Sequence, residues 1–438
     1  MDLGALNAQN PLEYEAATML ISFSARNFRS LRDRTELSFV ASSDSTLRST
    51  HCIPTALRAA PWLTRSALLY GANASGKSNL IFALVVMGNL VKQSTALKDT
   101  DFAKAYTPFR LDRTSERDPT EFEINLLIDG VRYEYGFAYD SQRIRAEWLT
   151  VYRTSKGQRW FERRWDEQRD IETWAPFSAH FTGPRETWRK ATRPAALFLT
   201  TAVQLNSELL KPLFDWFTKG LIVLNLPGLL PIDYTLPKLE EPAFKKRALG
   251  LLRAADLHIA DLRIERKPGH QWDFLLEPGK PSTATPLERE VFEIHFGHRI
   301  EGGDVVWLEP QFESAGTQRL LAFTGPVLDA IDRGALLVID ELDGNLHPLI
   351  TRFLLGLLHD PDVSRHGAQL WATTHDTTLL DTDLLRRDQV WFTEKDEQQV
   401  SRLVPLTDFS PRKNEALERG YLRGRYGGVP FVSSTRMQ

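Results

Sequence analysis

The chain has 438 residues, of which 42% are hydrophobic and 25% charged, and its formal net charge is −3. This length allows two domains or one large domain with an insertion, and the balanced charge gives no compositional sign of a nucleic-acid or membrane partner. No apolar run reaches the roughly 18 residues that a membrane-spanning helix needs. The start of the chain resembles no secretion signal, and the single cysteine, Cys52, cannot form an internal disulfide. These features predict a cytoplasmic protein without a membrane partner.

The first segments along the chain are a leader and two strands. Residues 1–18 show little periodicity, which predicts a disordered extension. The apolar and alternating pattern of Met19–Ala25 predicts a first strand, and Thr35–Ala41 a second.

A phosphate-binding loop follows these strands. The run GANASGKS, Gly71 to Ser78, fits the pattern GxxxxGK[ST] and lies between an apolar strand-like segment and a helical one. Gly71 and Gly76 permit a tight turn around a phosphate, because neither carries a Cβ atom. Lys77 is predicted to reach the β and γ phosphates of ATP, and the Ser78 hydroxyl to bind Mg²⁺. The remaining residues of the predicted nucleotide site are Asn73, Ser75 and Asn79.

The middle of the chain is predicted to hold an antiparallel insertion and then a helical lobe. Phe122–Ile128 and Val131–Phe137 alternate around a turn at Asp129 and Gly130, which predicts a hairpin. Arginines and tryptophans between Arg143 and Arg193 suit phosphate contact and base stacking, but many acids are interspersed. We therefore favour a solvated sheet surface or a protein-partner face. Nucleic-acid binding that depends on Arg163 and Arg164 is the alternative.

A second motif lies in the last quarter of the chain. The apolar run Ala335–Ile339 ends in Asp340 and Glu341, which predicts a buried strand that delivers two carboxylates at its C-terminal edge. In this Walker B interpretation Asp340 helps to hold Mg²⁺. Glu341 orients and deprotonates the attacking water.

Three further segments occur in the order found in ABC-type ATPases, and the chain resembles that superfamily. Phe312–Arg319 resembles the signature loop, which implies that Ser314, Ala315 and Gly316 bind nucleotide. Leu342–His347 resembles the D-loop, and Ala372–His375 ends a strand as the switch histidine does. The resemblance implies a catalytic set of Lys77, Glu341 and His375, in which His375 senses the γ phosphate.

Within this superfamily the chain is similar to the SMC and OLD group from Met19 onward. The phrases NFRS (27–30), DELDGNLHP (340–348) and YLRGRYGGVP (421–430) most resemble RloA-like and AbiL-type ATPases of bacterial restriction and phage-defence operons. His347 departs from the aspartate usual in SMC D-loops, although OLD-type ATPases share the LHP ending. For the Q-loop glutamine, Gln93 and Gln204 both stay open.

The resemblance implies an α/β fold: an ABC-type ATPase head with a P-loop NTPase core, a mixed N-terminal β subdomain, an antiparallel β insertion and a helical signature lobe. Short strands are predicted around 261–308. The predicted divisions are a leader (1–18), N-terminal strands with the Walker A half (19–118), the insertion (119–195), the signature lobe (196–330), and the Walker B half with a closing segment (331–438).

The same resemblance implies a function. Two protomers would face each other head to tail, as a homodimer or a higher even-numbered homo-oligomer, each signature loop closing on the partner's ATP. The leading hypothesis is a nucleotide-gated sensor or scaffold that controls a separate nuclease or toxin subunit in antiviral defence, because no paired-aspartate nuclease motif follows His375. The alternatives are a scaffold that hardly hydrolyses ATP and a DNA-maintenance or repair ATPase of SMC type. A hexameric AAA+ motor ranks last.

Overall fold

The computed structural model describes residues 18–224, 232–255, 257–275, 283–411 and 415–429. Apart from Thr18, the predicted leader lies outside these residues. The chain divides into two compact units. The first unit comprises residues 1–225, 330–343 and 354–438, and the second comprises 226–329 and 344–353.

The strands are β1 (Thr18–Arg26), β2 (Thr35–Ser38), β3 (Cys52–Pro54), β4 (Trp62–Thr64), β5 (Ser66–Gly71), β6 (Thr120–Ile128), β7 (Val131–Tyr139), β8 (Ile144–Tyr152), β9 (Gln158–Asp166), β10 (Ile171–Trp174), β11 (Leu221–Leu224), β12 (Asp261–Leu275), β13 (Thr283–Arg299), β14 (Val305–Leu308), β15 (Leu336–Ile339), β16 (Gln369–Thr373), β17 (Val390–Lys395) and β18 (Ser401–Pro405). The helices are α1 (Arg48–His51), α2 (Lys77–Gln93), α3 (Asp99–Ala105), α4 (Arg185–Ala191), α5 (Phe198–Gln204), α6 (Lys211–Asp215), α7 (Ile232–Thr235), α8 (Pro242–Ala254), α9 (Ala315–Arg333), α10 (Pro348–His359) and α11 (Leu417–Leu422). No helix in these described ranges is long and apolar enough to cross a membrane.

One sheet of the first unit is seven-stranded and antiparallel, in the order β10-β9-β8-β7-β6-β1-β2. The predicted hairpin is present as β6 and β7. Its turn residues Asp129 and Gly130 both have positive φ angles, of 50° and 74°, as a tight two-residue hairpin turn requires. The N-terminal strands are not a separate sheet, because β1 pairs directly with β6 of the insertion.

The second large sheet of this unit has the order β11-β15-β16-β5-β17-β18. All its neighbouring pairs are parallel except β17 with β18. Every residue of β5, β15 and β16 is buried, as expected for parallel strands covered on both faces. Because parallel strands end at the same edge, the residues that follow β5, β15 and β16 are brought together there. The predicted α/β fold with a P-loop core is confirmed.

The two large sheets of the first unit share one hydrophobic core. Phe23 of β1 packs against Trp371 of β16, with ring centroids 5.9 Å apart. Gln369 of β16 also exchanges two hydrogen bonds with the backbone of Leu20, since its Oε1 accepts from the Leu20 amide at 2.7 Å and its Nε2 donates to the Leu20 carbonyl at 3.0 Å. The antiparallel sheet therefore supports the parallel strands that carry the phosphate loop.

The arginine-rich part of the insertion is largely internal. Arg163 is 1% exposed and its Nη2 lies 2.8 Å from Glu147, whose side chain is fully buried. Glu147 also accepts hydrogen bonds from the amides that start α5, at 2.7 and 3.0 Å. Arg164 is exposed and pairs with Glu162 at 2.6 Å. Arg163 is therefore not available to a nucleic acid in the way that the alternative required, because its guanidinium is part of the folded core.

A buried histidine pair lies elsewhere in the first unit. The rings of His51 and His359 are 3.9 Å apart between centroids. His359 contacts the Ser66 hydroxyl at 2.9 Å, and burial, then His51 and Arg65, hold its pKa well below the usual value. Cys52, next to this pair, is buried, and desolvation raises its pKa to about 11, so its thiol is protonated at neutral pH.

The second unit contains a long hairpin. β12 and β13 have 15 and 17 residues and pair from Asp261↔Gly297 to Leu275↔Thr283, and β14 extends this sheet along β13. The expectation of short strands around 261–308 is therefore wrong for two of the three strands. Helices α7 and α8 precede the hairpin, and α9 follows it. The five divisions of the chain that the sequence analysis predicts stay a prediction.

Candidate nucleotide-binding site

The loop between β5 and α2 has the backbone expected of a phosphate loop. β5 ends at Gly71, α2 begins at Lys77, and Gly76 has a φ of +108° as the N-cap of this 17-residue helix. A Cβ atom on Gly76 would lie 2.8 Å from the Cβ of Ser401, and one on Gly71 would lie 2.6 Å from the Ser75 hydroxyl. Both glycines are needed because the loop is tightly packed on its protein side. Its helix start supplies unpaired N–H groups to an anion.

Hydroxyl groups hold the loop in place. The Ser401 hydroxyl donates to the carbonyl of Ser75 at 2.7 Å, and its oxygen lies 2.7 Å from the hydroxyl oxygen of Ser30. Ser75 Oγ lies 2.7 Å from Thr393 Oγ1, and Asn79 Nδ2 donates to Ser30 Oγ at 2.7 Å. The predicted site residues Ser75 and Asn79 thus bind neighbouring strands and the NFRS segment. These contacts position the loop.

The Lys77 ammonium lies inside this loop. Its Nζ donates to the carbonyls of Gly71 at 2.7 Å and Ala72 at 3.1 Å, and the residue is 7% exposed. Burial lowers the pKa of Lys77, while the nearby carboxylates of Asp340, Glu341 and Asp343 act in the opposite direction. The sheet has therefore brought the cation of the phosphate loop close to the acids that follow β15.

A threonine of the neighbouring strand holds the two predicted Walker B acids. The Thr373 hydroxyl donates to Asp340 Oδ1 at 2.6 Å and accepts from the backbone N–H of Glu341 at 2.8 Å. Glu341 has a φ of +56°, which is uncommon for a residue with a side chain. Thr373 was not identified from the sequence as the residue that holds these two acids. The feature that could have identified it is a hydroxyl residue at the end of β16, the strand that pairs with β15.

The predicted switch histidine belongs to the same group. The amide of His375 donates to Asp343 Oδ1 at 3.1 Å. Burial, followed by the charge of Lys77, lowers the pKa of His375, and the carboxylates of Asp343, Glu341 and Asp340 act against this. A neutral imidazole still carries one ring N–H, which can donate to a phosphate oxygen. Asp343 is a further site residue that motif matching did not identify.

The donor set fits Mg²⁺ bound together with a nucleotide. Among the described residues, no group of three or more His, Cys, Asp or Glu side chains is placed to hold a metal by itself. Mg²⁺ is typically bound by one or two protein oxygens, substrate phosphates and waters, so the Ser78 hydroxyl and the Asp340 carboxylate match its chemistry. A cavity of about 580 Å³ lies beside the loop and is lined by residues 72–75, the end of β17 and residues 422–429.

The predicted signature loop lies in the second unit. Ser314 Oγ accepts from the amide of Thr317 at 3.0 Å, which caps the start of the 19-residue helix α9. A Cβ atom on Gly316 would lie 2.9 Å from the carbonyl of Asn345, so this glycine is packed against the predicted D-loop. His347 Nδ1 accepts from the Leu349 amide at 3.3 Å near the start of α10. The ligand roles of Ser314, Ala315 and Gly316 stay predictions.

The two candidate Q-loop glutamines end helices of the first unit. Gln93 is the last residue of α2 and Gln204 the last residue of α5, and both are exposed. The choice between them stays open.

Comparisons with known proteins agree with this organisation only at the level of a family. No curated protein matches the chain. The crystal structure of an Smc head bound to the C-terminal winged-helix domain of ScpA is 15% identical, covers 88% of this chain and 96% of that chain, and has a TM-score of 0.37. A second structure is an Smc head with an extended coiled coil bound to the C-terminal domain of ScpA, derived from Pyrococcus furiosus. It is 13% identical, covers 89% of this chain and 97% of that chain, and has a TM-score of 0.40. The family model described as "AAA domain, putative AbiEii toxin, Type IV TA system" matches residues 66–381, which include the phosphate-loop motif, the predicted Walker B acids and the predicted switch histidine. The chain belongs to this AAA domain family.

Proposed function

We propose that the protein is an ATPase that binds ATP with Mg²⁺ and hydrolyses it. The observation that carries this proposal is the group of Lys77, Asp340, Glu341 and His375 at one edge of a parallel sheet, in mutual electrostatic contact. A purely structural ion cluster has no need of the tightly packed glycine loop at the start of α2. The loop and the acids together suit phosphate chemistry.

Each residue has a distinct role in this proposal. Lys77, now bonded to the loop carbonyls, would turn its ammonium to the β and γ phosphates. Ser78 and Asp340 would hold Mg²⁺, which neutralises phosphate charge when bound. Glu341 would take a proton from the attacking water, and the Thr373 hydroxyl keeps its backbone in place. His375 would donate a hydrogen bond to the γ phosphate.

The site is proposed to be completed by a second copy of the chain. Ser314, Ala315 and Gly316 begin a helix of 19 residues, whose N-terminal amides would favour the γ phosphate held by the partner's loop. This arrangement predicts a head-to-tail homodimer or a higher even-numbered homo-oligomer, stabilised by ATP. Hydrolysis would remove the shared ligand and relax the closed form.

At the cellular level we propose a cytoplasmic, nucleotide-gated sensor or scaffold that controls a separate nuclease or toxin subunit in antiviral defence. The toxin–antitoxin wording of the matching family and the resemblance to the OLD and RloA-like group support this role. An SMC-type DNA-maintenance ATPase is less well supported, because within the described ranges the longest helix is α9 with 19 residues. A scaffold that hardly turns over is separated from the ATPase by the turnover measurement below.

The test replaces Glu341 with glutamine. Glu341→Gln removes the proton acceptor and preserves the size of the side chain, so we expect turnover to fall by about 10²–10⁴ while ATP binding persists. Closed dimers should accumulate with ATP, as read by light scattering. Lys77→Ala should abolish ATP binding in a nucleotide titration.

The matched control is Glu397→Gln, the same change at an exposed turn between β17 and β18. It should leave turnover unchanged. Full turnover by Glu341→Gln would reject Glu341 as the base. If the wild-type protein forms dimers with ATP but hydrolyses no ATP, the result would favour the scaffold.

A further inference from the structure

The last described segment of the chain, residues 415–429, packs on the phosphate loop; we name it the C-terminal clasp. Its anchor is Phe392 of β17, which lies between two of its tyrosines. The rings of Tyr421 and Tyr426 stack on Phe392 at 5.3 and 5.5 Å, both with interplanar angles of 20°. Tyr70 of β5 meets Tyr421 edge to face at 5.7 Å. The aromatic stack fixes the clasp against the two strands that flank the loop.

A polar contact joins this stack to the first residue of the loop. The Tyr421 ring is 6% exposed, and burial raises the pKa of its phenol. The backbone N–H of Gly71 faces the Tyr421 hydroxyl and acts against that shift. The same hydroxyl donates to the carbonyl of Gly428 at 3.2 Å. Tyr421 thus connects the backbone of the phosphate loop with the far end of the clasp.

The glycines of the clasp bring its backbone against the loop. Gly427 and Gly428 both have a φ of +68°, a conformation that favours glycine. A Cβ atom built on Gly428 would lie 3.4 Å from the Cα of Gly71. The clasp is therefore in direct van der Waals contact with the residue at which β5 ends.

The other end of the clasp helix contacts the switch segment. Glu418 Oε1 accepts a hydrogen bond from the Thr377 hydroxyl at 2.8 Å, two residues after the proposed phosphate sensor His375. The Tyr70 hydroxyl also donates to the carbonyl of Asp376 at 3.2 Å. Glu418 and Tyr421 are three residues apart on α11, so both side chains lie on one side of the helix.

We propose that the C-terminal clasp couples the phosphate loop to the switch segment, with Tyr421 and Glu418 as positioning residues; this inference rests on the proposed ATPase function. The polar contacts of Tyr421 and Glu418 on α11 reach the phosphate-loop side and the switch-segment side of the proposed site. Tyr421 holds the Gly71 amide in the conformation that the loop needs for binding. Glu418 holds the segment that carries His375 for turnover.

The first experiment removes one hydroxyl. Tyr421→Phe keeps the stack on Phe392 and removes the hydroxyl that holds the Gly428 carbonyl and faces the Gly71 amide, a loss that corresponds to about tenfold weaker ATP binding. The control is Tyr426→Phe, which removes a hydroxyl from the same aromatic stack. This hydroxyl donates to the Glu415 carboxylate at 2.6 Å. The control should leave the ATP affinity unchanged. Hydrogen exchange without nucleotide should show faster exchange at Gly71 in Tyr421→Phe alone.

The second experiment separates turnover from binding. Glu418→Ala should lower kcat by about tenfold at saturating ATP with little change in Kd, because the Thr377 hydroxyl loses an acceptor near His375. Glu418→Gln keeps an acceptor oxygen and should restore kcat. This split would not follow from a general loss of stability.

The inference is overturned if Tyr421→Phe and Tyr426→Phe behave alike in affinity and exchange, or if Glu418→Ala and Glu418→Gln share one kcat. If the wild-type protein binds no ATP, the proposed function fails. In that case the hydrogen-exchange rate at Gly71 still tests whether Tyr421 holds the phosphate loop, because this rate is measured without nucleotide.

Discussion

The Thr373 hydroxyl offers the sharpest test of how the site is held. Thr373→Val keeps the shape of a fully buried side chain and removes two hydrogen bonds, one to the Asp340 carboxylate and one from the Glu341 amide. A hydrogen bond to a charged group contributes about 1.5–3 kcal/mol, and an amide left without a partner costs about 1–3 kcal/mol. Because Asp340 is partly exposed and Glu341 is exposed, the lower ends of both ranges apply, and the free energy of unfolding should fall by about 2.5 kcal/mol.

The same change should affect turnover more than binding. The amide of Glu341 is held by Thr373 at a φ of +56°, so without that bond the proposed base loses its position. A misplacement of about 1 Å costs on the order of 10² in rate. Urea unfolding followed by tryptophan fluorescence gives the stability, and a phosphate-release assay at saturating ATP gives the turnover.

Two control variants define the outcome. Thr373→Ser keeps the hydroxyl and should retain most of the turnover. Thr200→Val removes a single bond, to the carbonyl of Val91 at 2.6 Å, from an equally buried threonine in α5, and should cost about 1 kcal/mol without lowering turnover. A Thr373→Val protein with wild-type stability and wild-type turnover would refute the reasoning.

Two other predictions concern buried charges. Glu147→Gln should lower the free energy of unfolding, measured by urea unfolding, by about 3 kcal/mol, because Arg163 keeps its buried charge and loses the fully buried one of its two carboxylate partners. A loss below about 1 kcal/mol would show that water reaches this pair. Burial, then His51 and Arg65, depress the folded-state pKa of His359, so its contribution to stability is present above pH 6.5 and is lost as the pH falls. The free energy of unfolding of the wild-type protein should be about 1.4 kcal/mol lower at pH 5.5 than at pH 7.5, and this difference should be absent in His359→Gln. The same pH dependence in the wild-type and His359→Gln proteins would contradict the assignment to His359.

Local patterns were sufficient for the central strands and the loop. The glycines of GANASGKS, the buried run before Asp340 and the turn at Asp129 and Gly130 each depend on neighbours in sequence, and each was found where it was expected. The supports of the site depend on distant residues. Ser30 and Ser401, which together fix the loop, are 371 positions apart, and no periodicity connects them.

The length of β12 and the burial of Arg163 were not predicted, and both have physical reasons. β12 contains Pro268 and Gly269, which ordinarily argue against a long strand, and its apolar residues do not alternate regularly. Arg163 stands in a charged sequence typical of a surface. It is buried because Glu147 and Glu172 neutralise it from two neighbouring strands, at 2.8 and 3.1 Å, and that pairing is visible only in the sheet.

The place of β5 in its sheet has a consequence for biosynthesis. Its neighbours are β16 and β17, and the pairing of Ser66 with Leu370 joins residues about 300 positions apart. At about 5–20 residues per second, a ribosome needs roughly 15–60 s to make the chain between them. During that time the glycine loop has been translated without the strands that flank it. We expect a nascent chain to gain affinity for ATP only after β17 has emerged, so nucleotide capture reports that the strands flanking the loop have been made.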